Sequence, residues 1–155
     1  MHETQIRIRS TQVDTFGHLN NAAYLEVFEW ARWEWAESLG MDINRISEKE
    51  RMGPAVMHVD LSFFKEVHMH ETVTIRTWFD QIERVKGVMG QELFKEDGLL
   101  AASALITFVM FHLDKRKVLP MPSFFQEAWE HDEQYRLEKL RSDKKKPYGR
   151  SSSDK

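Results

Sequence analysis

The chain has 155 residues, a formal net charge of −3 and no cysteine. That size suits one domain with a sizeable core, and the composition excludes disulfides, thiolate metal sites and a cysteine nucleophile. Six basic residues (Arg141, Lys144, Lys145, Lys146, Arg150, Lys155) against Asp143 and Asp154 gather positive charge at 141–155, so the body that remains is acidic and poorly suited to general nucleic-acid binding.

The opening MHETQIRIR lacks the apolar centre of a signal peptide. No apolar run approaches the roughly 20 residues of a membrane helix, so a cytoplasmic protein without membrane insertion is expected. Residues 5–13 alternate Ile6 and Ile8 with arginines, the period of a strand with one buried face. Residues 14–19 break that period with Gly17. A long helix follows, from Asn20 or Asn21 to Leu39, with Asn20 placed as N-cap and Gly40 where a C′ glycine belongs. Tyr24, Phe28, Ala31, Trp35 and Leu39 form one stripe along it. Val27, Trp30 and Trp33 carry apolar surface around much of the rest, which predicts a helix largely enclosed by protein. Glu26, Glu29, Arg32, Glu34 and Glu37 form a polar strip on which Glu29 and Arg32 can pair, three residues apart.

Residues 41–53 read as irregular, with a short helix near 45–51. From Pro54 the period changes to two: Val59, Leu61 and Phe63, then Val73, Ile75, Thr77 and Phe79, each alternate with polar neighbours apart from Trp78. Two longer strands are predicted at 82–95 and 99–112, joined by a hairpin at Glu96-Asp97-Gly98. A last helix is predicted over 123–140, docking through Phe124, Phe125, Ala128, Trp129 and Leu137. Residues 141–155, with Pro147, Gly149 and Ser151 to Ser153, read as a disordered basic tail. The division is therefore one domain over 1–140 and a tail. An apolar helix needs something to surround it, and a strongly curved antiparallel sheet of the following strands meets that need, giving an α+β architecture.

The run VDTFGHLNNAAYLEVFEWARW holds the chemistry. Asp14 sits in a glycine-containing turn just before the helix start, where backbone N–H groups lack partners and carry the positive end of the helix dipole. Such N–H groups can polarise a carbonyl while the acid activates or supplies a nucleophile. The element order and the residues Asp14, Gly17, His18, Asn20, Asn21, Tyr24, Glu29, Ala31 and Arg32 resemble the hotdog-fold acyl-CoA thioesterases of the 4-hydroxybenzoyl-CoA thioesterase type. The strand HVDLSFFKEV, the Asp97-Gly98 hairpin and the strand end at Leu119-Pro120 fit the same pattern.

The resemblance implies a curved five-stranded sheet wrapped around one central helix. It implies a homodimer with sheets joined edge to edge, often a homotetramer, and an acyl-CoA pocket shared between subunits. It places the catalytic carboxylate on Asp14 and the polarising amide on Asn21. The activity implied is hydrolysis of an acyl-CoA thioester to free acid and coenzyme A. The alternatives are an acyl group delivered on acyl carrier protein, or a non-catalytic acyl-CoA-binding module. His18 is placed to hydrogen-bond the thioester region or to hold its loop. Gly17, Asn20 and Tyr24 belong to the expected substrate contacts, Asn20 first of all as a cap. Arg84 and Lys86 are candidates for the coenzyme phosphates, with Lys65 a third. Gly87 and Gly90 permit close backbone approach to pantetheine or mark a bulge. No metal or redox cofactor is expected: His68 and His70 could share a strand face, but a third ligand is not nearby in sequence.

Overall fold

In the computed structural model, which describes residues 1–145, local signals at the helix start and end set the longest helix. β1 (His2–Arg7) leads through a single 3-10 turn (Ser10–Gln12) into the Asp14 loop and α1 (Asn21–Ser38). The Asn20 side chain accepts a hydrogen bond from the Ala22 N–H at 2.9 Å, and Gly40 adopts φ +74° just past the end. α2 (Ile43–Glu48) is short. β2 (Met52–Phe63), β3 (Thr72–Ile82), β4 (Lys86–Phe94), β5 (Leu100–His112) and the brief β6 (Lys117–Leu119) complete the sheet, and α3 (Ser123–His131) and α4 (Glu133–Lys145) follow.

The sheet is antiparallel in the order β1-β3-β4-β5-β2, with β6 added to β5. Of the four long strands after the helix, only β3, β4 and β5 lie side by side in chain order. β2 pairs instead with β5, Val59 opposite Ile106, and the chain then crosses to β3 beside β1, Ile6 opposite Val73. The curved half-barrel closes around α1, as the hotdog arrangement requires. Ala23, Tyr24, Val27, Phe28, Ala31 and Trp35 of α1 are buried against Ile75, Phe79, Leu93, Ile106 and Phe108 of the sheet. At the β3–β4 hairpin, two glycines make room for rings. A Cβ at Gly90 would lie 2.1 Å from the Trp78 indole, and one at Gly87 2.7 Å from the Phe108 ring. Ring packing, rather than approach to a ligand, is the role seen at both positions.

Three expectations are corrected. α1 is not enclosed within one chain: Trp30 and Trp33 are 44% and 37% exposed. The last helix is broken at Asp132 into α3 and α4, and Leu137 faces solvent while Phe125 and Ala128 are buried. α4 continues through Lys145, into the stretch read as a tail, because Glu133–Lys145 is rich in helix-forming Glu, Leu, Lys and Arg. The remaining residues of that stretch, 146–155, lie outside the described residues.

The break has a physical cause. β1 runs out at His2, opposite Thr77, so the β3 edge at Phe79 lies beyond its partner strand. Asp132, fully buried, accepts the Phe79 N–H at 2.8 Å, and Arg136 donates to the Phe79 carbonyl at 2.9 Å. The α3–α4 corner thereby satisfies both backbone groups of the exposed edge.

Candidate active site

The Asp14 loop is a closed turn. The Asp14 N–H donates to the His18 carbonyl at 2.8 Å and the Gly17 N–H to the Asp14 carbonyl at 3.0 Å, with Gly17 at φ +76°. That backbone angle explains the glycine. The carboxylate takes part in the turn with one oxygen only: Oδ1 accepts the Phe16 N–H at 2.9 Å and the His18 N–H at 3.1 Å. Oδ2 has no hydrogen-bond partner among the described residues. Turn-capping and an available carboxylate oxygen therefore coexist in one side chain.

The loop is tied on both sides. The Asn20 N–H donates to the Gln12 carbonyl at 2.8 Å, and the Leu19 N–H to the Val67 carbonyl at 2.7 Å. Val13 and Leu19 form an isolated antiparallel bridge, and so do His18 and His68. The Asn20 side chain holds the Ala22 N–H, its carbonyl accepts from Tyr24, and the Asn21 N–H has no acceptor among the described residues.

Asp14, His18, Asn21, Tyr24, Phe63 and Lys65 line one cleft of about 300 Å³ at the start of α1. Six residues separated in sequence are thus brought together, and all but Phe63 are among the candidate positions read from the sequence. Tyr24 is 4% exposed and packs edge-on against Phe63, ring centroids 4.9 Å apart. Burial, with Glu71 and Glu66 facing it, pushes the Tyr24 phenol up, so it remains a protonated donor at neutral pH. His18 Nε2 lies 3.4 Å from Glu66 Oε2.

Arg84 and Lys86 are not brought to this cleft within the chain. They sit at the β3–β4 turn, at the far end of β3 from Glu71 and roughly 30 Å along the strand. There Lys86 pairs with Glu83 at 2.9 Å. Lys65 is the basic residue on the cleft wall.

A second cleft opens toward the other end of α1, about 120 Å³ in volume and lined by Arg32, Trp33, Trp35, Met89, Phe108 and Phe125 among others. Twelve residues of helix, roughly 18 Å, separate Trp33 from Asn21. Sequence reasoning paired Arg32 with Glu29 in solvent. The guanidinium instead donates from Nη1 to Gln91 Oε1 at 2.8 Å. Gln91 is fully buried and spends its amide on the Phe28 carbonyl (2.8 Å) and Thr77 Oγ1 (3.0 Å). Burial draws the Arg32 guanidinium down from its ordinary value against the pull of Glu29, though an arginine stays charged. A glutamine in the middle of a strand that reads as core was the only sequence sign of this network.

A curved sheet around one helix, with an acid beside the helix start, defines the hotdog thioesterase class. The chain belongs to the thioesterase-like superfamily, whose family model matches residues 8–129. Over 129 residues it is 30% identical to the long-chain acyl-CoA thioesterase FadM of Escherichia coli (strain K12), covering 83% of this chain and 96% of that protein. The crystal structure of the probable thioesterase YbaW of Escherichia coli superposes with a TM-score of 0.68 at 28% identity, over 89% of this chain and 97% of the other. A 1,4-dihydroxy-2-naphthoyl-CoA thioesterase from Synechocystis shares the fold with a TM-score of 0.76 at 20% identity, over 82% and 93% of the two chains. Among the described residues no helix is long and apolar enough to cross a membrane.

Proposed function

We propose that this thioester hydrolase acts on acyl-CoA, releasing the free acid and coenzyme A, with Asp14 as nucleophile or general base and the Asn21 N–H as the donor to the thioester carbonyl. One observation carries the reading: an Asp14 Oδ2 and an Asn21 N–H, both without a hydrogen-bond partner among the described residues, line the same cleft at the start of α1. With Oδ1 spent on the turn, Oδ2 is the oxygen free to attack the carbonyl carbon or to take a proton from water. As negative charge grows on the carbonyl oxygen, the Asn21 N–H and the dipole of an 18-residue helix stabilise it. The thiolate is a good leaving group, so no stronger acid is required, and His18 stands on the cleft wall to hydrogen-bond it.

A long acyl chain suits the apolar cleft of Trp33, Trp35, Phe108 and Phe125, in keeping with the name of the FadM relative. The two clefts share no lining residue within one chain, and β2 supplies the link. None of its twelve residues is fully buried, and Val56, Met57 and Phe63 are 51%, 66% and 48% exposed. A long apolar edge strand of this kind calls for a partner strand. Antiparallel pairing of β2 with its copy sets the Phe63 end of one strand against the Met52 end of the other. The Asp14 cleft of one protomer then opens toward the Trp33–Phe108 cleft of the second, and the homodimer is the unit that hydrolyses substrate.

The test is Asp14→Asn, assayed by thiol release over a panel of acyl-CoAs. Asparagine keeps the Oδ1 acceptor that closes the turn and removes the charge. The expected outcome is a fall of about 10²–10⁴ in kcat with the fold intact; an unchanged rate on the best substrate rejects the role. The same acyl group on coenzyme A and on acyl carrier protein distinguishes the carriers, and higher efficiency with coenzyme A is expected.

A further inference from the structure

The sequence pairs His68 with His70. The fold instead brings His18, from a distant part of the chain, to His68. The isolated bridge between His18 and His68 holds the two residues opposite each other on adjoining segments. The Leu19-to-Val67 bond and the Met69 N–H donating to Gly17 at 3.3 Å flank that bridge on either side. Glu66 lies two residues before His68. The ligand atoms of His18, Glu66 and His68 all fall within 4.8 Å of one another. The imidazole rings of His18 and His68 meet edge to face, centroids 4.9 Å apart.

From this cluster we infer that the mouth of the Asp14 cleft is a binding site for a borderline divalent cation of the zinc class, held by His18, Glu66 and His68, and that its occupancy inhibits the enzyme. Two imidazoles and one carboxylate form a donor set that zinc favours. In a tetrahedral zinc site with bonds near 2.0–2.1 Å, neighbouring ligand atoms lie about 3.3 Å apart. His18 Nε2 and Glu66 Oε2 already stand at 3.4 Å. The His68 side chain is 53% exposed and that of Glu66 68%, so both can turn inward by the remaining distance without disturbing packed core.

A supporting layer behind the ligands is an independent observation. His68 Nδ1 lies 3.0 Å from Glu71 Oε1, which also accepts the His68 backbone N–H at 3.0 Å. Lys95 Nζ holds the same oxygen at 2.8 Å. A carboxylate on one ring nitrogen fixes the tautomer and leaves Nε2 as the electron-pair donor, the arrangement that commonly orients a metal-bound histidine. An ion pair between His18 and Glu66 alone would call for none of this.

The inhibitory consequence rests on the proposed role of Asp14; the site itself does not. A cation there ties His18 and Glu66 together on the cleft wall and sets positive charge beside Asp14, which lowers its reactivity and narrows the entrance.

The experiment titrates the full chain with Zn²⁺ in competition with a chromogenic chelator, using the native protein, His68→Ala and Glu66→Gln. Expected are one tight equivalent per native chain and affinity weakened by about tenfold or more in both variants. Absence of binding at up to about 100 μM Zn²⁺, or binding that both variants retain, overturns the site. Should His68→Ala not fold by circular dichroism, Glu66→Gln, a change at an exposed side chain, decides. In the thioester assay Zn²⁺ should inhibit the native enzyme with the midpoint found by titration. His68→Ala should keep its basal rate and lose that sensitivity. Binding without inhibition overturns the regulatory half. If no form hydrolyses any acyl-CoA, the proposed activity fails, and the chelator titration still decides the metal site.

Discussion

The two ends of α1 are built to opposite plans. At its start, the cleft around Asp14 and Asn21 is polar, half open, and made of backbone groups whose partners have been withheld. Toward its other end, the cleft around Trp33, Phe108 and Phe125 is mostly apolar, and its cation, Arg32, with Glu29 also on the wall, is anchored to a fully satisfied buried amide, Gln91. Unsatisfied groups are where bond-making energy can be gained; satisfied ones set shape and selectivity. In the proposed reading, the two ends of one helix, roughly 18 Å apart, serve reaction and recognition.

The sharpest way to isolate the reactive end is Asn21→Pro. Proline is tolerated as the first residue of a helix, and Asn20 already holds the extended conformation proline demands before it, φ −64° and ψ 143°. The substitution removes one N–H and little else. We expect kcat to fall about 10²–10³-fold with KM nearly unchanged, measured by steady-state thiol release. A fall in stability without a fall in kcat would locate the donor elsewhere.

To break the link between the two ends, Met57→Lys places a charge at an exposed position in the middle of the β2 edge. The expected result is a monomer by light scattering and loss of most activity on long-chain substrates, with native circular dichroism. An active monomer would show that one chain contains the whole site.

A control outside both clefts is Asp132→Ala. It strands the Phe79 N–H in the interior and should cost about 1–3 kcal/mol by denaturant unfolding, leaving kcat of the folded fraction unaltered. The smallest effect is expected at the recognition end. Arg32→Met removes the positive charge from the apolar cleft and leaves Gln91 Oε1 without its donor, at a cost of about 1 kcal/mol. It should shift KM between plain and oxygen-bearing acyl chains by less than about tenfold and leave kcat alone. A large loss of kcat would merge the two regions into one.

Much of the reactive end is readable from residues in a row. Asp14, Gly17, Asn20 and Asn21 act through turn and cap geometry that spans a few residues, so their spacing already announces it. The recognition end is hidden because its interactions join residues 59 apart, Arg32 to Gln91, and strip position i,i+3 suggested a nearer partner. The exposed Trp30 and Trp33 mislead for the same reason: apolar surface in the sequence does not say whether the chain itself or something else covers it.

The sequence by itself determined the long capped helix, the acid turn before it, the two-residue period of the strands and the family to which the chain belongs, because each rests on local backbone preference or on side-chain periodicity. Only the tertiary structure decided that β2 occupies the outer edge beside β5, that His18 meets Glu66 and His68, and that Asp132 interrupts the last helix to seal the β3 edge. Those outcomes depend on which distant strands pair, and pairing is chosen by the closing of the whole sheet around α1, which no short stretch of chain encodes.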